Sequence, residues 1–191
     1  IAKLSGQERL ELAKTLNFTK EPLPIRKVEI PKEPGKTRPL GIPTMNDRAM
    51  QALVKMAIEP EWEAYFEPNS YGFRLGRQCH DATSAVWHSL RGTEKIVLEG
   101  DIEGCFNNIS HKRILEQLHR VGKPVPEIEK MIEKWLKSPR MKGYFPKVSH
   151  ELLKPNSKGT PQGGVISPLL ANIALDGLEG AVRNFYVDKL Y

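Results

Sequence analysis

Four kinds of residue in this sequence could do chemistry. Asp101 follows a short apolar run, Lys95 to Leu98, and is bracketed by Gly100 and Gly104. A carboxylate at the exit of a buried strand can hold Mg²⁺ while its stem stays fixed; a turn or helix-capping aspartate has the same local look. Phe106, five residues on, reads by itself as a core aromatic. The loop Gly159-Thr160-Pro161-Gln162-Gly163-Gly164 has glycines that admit close backbone approach, and Gln162 offers a donor and an acceptor on one amide. A plain loop before a capped helix explains it almost as well. Lys32, Lys36 and Arg38 stand close together and could grip a triphosphate, unless they are ordinary solvated charges.

The elements that must position these residues are legible as periodicity. Ser5 and Glu8 form a capping-box pattern ahead of a short helix. Arg26 to Pro31 alternates as a strand, Glu33-Pro34-Gly35-Lys36 is a turn, and Thr37 to Ile42 returns, giving a basic hairpin. Met50, Leu53, Val54, Ala57 and Ile58 follow the helical i, i+3, i+4, i+7, i+8 rule. Further helices are expected over Asp81 to Leu90, after Ser110, and around Ile128 to Leu136. Another starts with Ser167 as N-cap and Pro168 at N1. Lys95 to Leu98 reads as a buried strand with Asp101 at its exit. Long helices with scattered short strands predict an α+β fold.

The chain has 191 residues, 39% of them hydrophobic and 27% charged, the balance of a globular protein. Its 29 Lys and Arg exceed its 23 Asp and Glu, a net charge of +6 that fits a nucleic-acid partner. Between Lys137 and Lys158 the basic residues, Lys142 and Lys147 among them, meet only Glu151. That stretch is a candidate phosphate-facing surface or a solvated face. Cys79 and Cys105 are the only cysteines. They make no zinc site and point to a reducing, cytoplasmic setting, whether bacterial or in an organelle's interior. No apolar run has transmembrane length, so no membrane partner is expected. The first residue is Ile1, which suggests that the parent protein begins earlier.

Taken in order, these stretches resemble the group II intron reverse transcriptases of the maturase type. The matching residues are Ile30-Pro31-Lys32, Lys36 through Pro43, Asp47-Arg48 and Gln51. Ser70-Tyr71-Gly72-Phe73-Arg74, Gly76-Arg77 and His80-Asp81-Ala82 follow. Gly100-Asp101-Ile102, Gly104-Cys105-Phe106, Asn108-Ile109 and Gly159 through Ile173 complete the set. The resemblance implies a right-hand fold, with residues 1–95 mainly fingers and 96–191 mainly a partial palm. It implies copying of RNA into DNA, with intron RNA as template, a DNA primer and deoxynucleoside triphosphates, and assistance to intron splicing and mobility. By resemblance Asp101 is the first catalytic metal ligand and the Ile102 carbonyl lies near a second ion. Two Mg²⁺ would activate the primer 3′-hydroxyl and stabilise the leaving pyrophosphate. Lys32 and Arg38 match the residues that hold the triphosphate, and Gly104, Cys105 and Phe106 the wall beside the nucleotide. Phe106 matches the gate whose ring fills the space of a ribose 2′-hydroxyl, and Gln162 the residue beside the nascent base pair. Arg48, Arg74, Arg77, Pro161 and Gly163 match positions at the nucleic acid.

Two departures qualify the match. Asn107 and Glu103 stand where family members often carry Asp and Lys. The family's Tyr-x-Asp-Asp box is missing; its nearest echo, Tyr186-Val187-Asp188-Lys189, is read as a helix exit, which places the box beyond Tyr191. This chain alone is therefore expected not to polymerise DNA. Two other readings fit: a maturase-like RNA-binding splicing cofactor without polymerase activity, and a reverse transcriptase of a retron, diversity-generating element or CRISPR locus. Oligomeric state is left open.

Overall fold

A computed structural model describes residues 4–92, 94–122, 124–142 and 155–190; residues 33, 142 and 186–190 are described by their backbone alone. Of the basic stretch, Lys147 and Lys154 lie outside the described residues, as does the side chain of Lys142.

Helix α1 (Gly6–Lys14) begins in the expected capping box: Ser5 Oγ accepts from the Glu8 amide, and Glu8 accepts from the Ser5 amide. The basic hairpin forms from β1 (Ile25–Glu33) and β2 (Lys36–Ile42), antiparallel, with Ile30 opposite Arg38 and an irregularity between Pro31 and Glu33. Helix α2 (Met45–Tyr65) starts at Thr44, whose hydroxyl accepts from the Asp47 amide. It buries Met50, Gln51, Val54, Ile58 and Trp62 along one stripe, while Leu53 and Ala57 fall on its exposed edge.

Helix α3 (Cys79–Leu90) is followed by a single turn, α4 (Cys105–Asn108), then α5 (His111–Leu118) and α6 (Pro126–Lys137). Strand β3 (Arg140–Lys142) lies parallel to the start of β1, so the sheet order is β2-β1-β3. Helices α7 (Ser167–Leu175) and α8 (Leu178–Leu190) end the chain, and the echo Tyr186 to Lys189 falls inside the last turns of α8. One apolar cluster joins α2, α5, α6 and α7 through Val54, Ile114, Ile132, Leu136, Leu170 and Ile173, each 1% exposed or less. Fold class is therefore α+β, as expected.

Two expectations are corrected. Residues 95–98 form no strand, and Ile96 is 99% exposed. Apolar, β-branched composition makes a strand only when a neighbour supplies hydrogen bonds and cover. The described sheet gives that segment no partner. Ser167 is the first residue of α7, not its cap, which is Ile166. Its hydroxyl is drawn inward to accept from Thr160 Oγ1 at 2.8 Å.

Candidate active site

Phe106 sits on the α4 turn, which starts from Gly104 in a left-handed conformation (φ 57°). The turn is strapped to the glycine-rich loop by two main-chain bonds of 2.7 Å: the Gly159 amide donates to the Ile109 carbonyl and the Thr160 amide to the Phe106 carbonyl. At Gly159 (φ 77°) an added Cβ would stand 2.5 Å from the Asn107 carbonyl oxygen, so only glycine lets the strands of chain approach this closely. His111 Nε2 and Asn156 Nδ2 both bond the Gly159 carbonyl, at 2.8 and 3.3 Å. Lys158 Nζ reaches Asn108 Oδ1 at 2.9 Å, and Asn108 Nδ2 donates to the Glu103 carbonyl.

The other end of the loop is latched to the hairpin. The Gly41 amide donates to the Gln162 carbonyl at 2.9 Å, and Arg38 Nε donates to Gln162 Oε1 at 2.6 Å. Pro161 is buried against Gly41, and a Cβ on Gly163 would lie 2.6 Å from the Gly41 oxygen. Below it, the buried Gln51 of α2 accepts from the Val165 amide through Oε1 at 2.8 Å. Arg38, Gln162 and Phe106 thus belong to one continuous scaffold, although more than a hundred residues separate the hairpin from the loop.

The remaining expected residues are distributed less evenly. Lys32 is exposed near the hairpin tip. Arg48 is half-buried in the first turn of α2. Arg77 is turned onto its own lobe, donating to the Pro68 and Ser70 carbonyls with its guanidinium 5.3 Å from the centre of the Tyr71 ring. Arg74 is consumed internally. Its side chain is 2% exposed, Nε bonds both Glu63 carboxylate oxygens at 2.8 and 2.9 Å, and the other nitrogens donate to the Glu63, Glu67 and Ser70 carbonyls. A guanidinium so engaged anchors the turn before α3 instead of reaching out to phosphate.

Asp101 and Ile102 are exposed on the irregular segment that precedes α4. Burial, and then the Asp101 charge, push the Cys105 thiol upward, so Cys105 stays protonated and non-nucleophilic. Among the described residues no group of three or more His, Cys, Asp or Glu side chains is placed to hold a metal ion. Asp101 alone does not fit a site for two Mg²⁺.

Sequence reasoning gave no role to Gln51, His111 or Asn156. Each is a polar side chain whose partner is a distant main-chain group, and spacing carries no mark of that. The clash distances at Gly159 and Gly163 were likewise invisible, though the glycines themselves were the clue.

Residues 30–191 match the reverse transcriptase (RNA-dependent DNA polymerase) family. The chain is similar to Protein YkfC of Escherichia coli (strain K12), 35% identical over 97% of this chain and 48% of that protein. It is also similar to the group II intron-encoded protein LtrA of Lactococcus lactis subsp. cremoris, 39% identical over 83% of this chain and 25% of that one. It therefore spans about half or less of the length of these relatives. A chain of a solved partial Cas6-RT-Cas1–Cas2 complex shares the fold, with a TM-score of 0.56 at 22% identity, covering 96% of this chain and 31% of that chain. No described helix is long and apolar enough to cross a membrane. With residues 30–191 matched and these relatives beside it, this chain belongs to the reverse transcriptase family, among its group II intron-encoded and maturase-type members.

Proposed function

We propose that this chain forms the nucleotide-facing part of an RNA-directed DNA polymerase that extends a DNA primer along an RNA template with deoxynucleoside triphosphates. The observation that carries this reading is the 2.6 Å bond from Arg38 to Gln162. It sets a permanent cation and an amide side by side at the rim of the loop that backs Phe106. That is the pairing needed to bind a triphosphate at one end and a base pair at the other.

Much of phosphoryl-transfer catalysis is positioning and charge neutralisation, and this part of the enzyme supplies the positioning. Phe106 excludes a ribose 2′-hydroxyl by shape. Asp101 contributes one carboxylate toward the Mg²⁺ that the family uses; the described residues offer it no companions, so residues 1–191 by themselves should not extend a primer. Group II intron RNA is the template and splicing substrate we assign, because LtrA is encoded by such an intron. The +6 charge suits that partner.

Primer extension by the full-length protein that contains this chain tests the reading. The unaltered protein should synthesise DNA, Asp101→Asn should abolish synthesis while RNA binding persists, and Arg38→Gln should raise the nucleotide KM more than it weakens template binding. Tight intron RNA binding with no DNA synthesis by the unaltered protein would overturn it in favour of a splicing cofactor.

A further inference from the structure

Phe73 is the one non-glycine residue with a positive φ (59°) among the described residues, and it is 67% exposed. Both features are costly. A bulky L-residue in the left-handed region is strained, and such strain persists only where the surroundings impose it. Here they do, on both sides. The Gly72 carbonyl accepts from Asn172 Nδ2 of α7 at 2.9 Å. Arg74 is locked into Glu63 and three carbonyls, with its guanidinium 4.7 Å from the centre of the Phe66 ring. Held between these anchors, Phe73 meets the Phe106 ring edge-on, with centroids 6.0 Å apart and planes at 87°.

We infer that Phe73 is a specificity-determining residue that backs Phe106 and holds its ring in the position that rejects ribonucleotides. This rests on the proposed polymerase reading and on Phe106 as the sugar gate. A ring can exclude a hydroxyl only if it cannot swing aside when one arrives. The backbone of Phe106 is fixed by the Thr160 amide, but that bond leaves the ring torsion open. Phe73 supplies the missing contact from a separate segment of chain, 33 residues earlier in the sequence. The strained backbone is the cost of aiming it there.

The test is single-nucleotide incorporation by the full-length protein, comparing kcat/KM for ribo- and deoxynucleoside triphosphates. Phe73→Ala should raise the ribonucleotide share roughly three- to tenfold, the scale of one aromatic edge pair. Phe73→Tyr, which keeps the ring, should leave it unchanged. Phe73→Gly separates this role from a structural one. Glycine relieves the positive φ, so the thermal midpoint should hold or rise while sugar selectivity falls. An equal loss of activity toward both sugars, or an unchanged ratio in Phe73→Ala and Phe73→Gly while Phe106→Ala alters it, would overturn the inference. An unchanged ratio in Phe106→Ala would remove the gate itself, and an inactive unaltered protein the polymerase reading; either takes this inference with it.

Discussion

Arg74 shows how one residue's partners decide its role. Its fork satisfies a glutamate and three main-chain carbonyls around the turn that carries Phe73. A lysine keeps the charge but has neither the planar fork nor the donors to reach all four groups. Arg74→Lys should therefore lower stability by about 2 kcal/mol, below the 3–5 kcal/mol typical of breaking a fully buried pair because Glu63 keeps some contact with water. Urea unfolding would measure this. The salt dependence of RNA binding should not change, since a guanidinium turned inward releases no counterions from phosphate. Arg74→Met removes the charge, and a flatter salt slope in that variant with unchanged stability would show that Arg74 faces the nucleic acid after all.

At the scale of elements, the glycine-rich loop has little regular structure and is held by what it touches: α4 at Gly159 and Thr160, β2 at Gln162, and α2 at Val165. Gln51→Leu keeps the volume near that of glutamine but leaves the Val165 amide without its acceptor. An unsatisfied buried donor costs about 1–3 kcal/mol. Urea unfolding should show that loss, and hydrogen exchange should show faster exchange in the peptide around Val165. Unaltered exchange there would mean that the loop is held without Gln51. The same contrast explains what the sequence made legible. The capping box at Ser5, the hairpin and the helices after Ser110 and around Met131 are specified within a few residues, and their signals were local. The loop's composition and the order of its neighbours pointed to the site. Residues 95–98 misled because their pattern is that of a strand, yet pairing depends on a neighbour that local sequence does not contain. Phe73 gave no sign of its left-handed backbone, since two anchors far apart in sequence impose it.

Over the whole molecule, one core crosses the division expected near residue 95. One link between its parts, besides those made by the glycine-rich loop and by Asn172, lies at the entry to β1. There the Leu23 amide donates to Asp47 Oδ2, the Leu23 carbonyl accepts from Ser138 Oγ, and the Ile25 amide donates to the Pro139 carbonyl. Asp47 is thus a buried carboxyl at the junction of α2, β1 and the α6–β3 connection. Its burial pushes its pKa up, against the lowering effect of bonds from Thr44 and Leu23 and the charge of Lys20. The folded state then holds that proton more tightly than the unfolded chain does. By linkage, the contribution is full below the ordinary aspartate value of about 4 and is lost as pH rises from there through the raised folded value. Glu8 and Glu179 act oppositely: their lowered values give stability that is lost as pH falls, so a single unfolding curve mixes both signs. Asp47→Asn separates them. Asparagine keeps an acceptor for Thr44 and Leu23 and cannot ionise, so the variant should gain stability relative to the unaltered chain as pH rises through that window. Urea unfolding of both across the window measures the difference. A constant difference would mean that Asp47 ionises as freely in the folded protein as in the unfolded one, and that this junction is open to water.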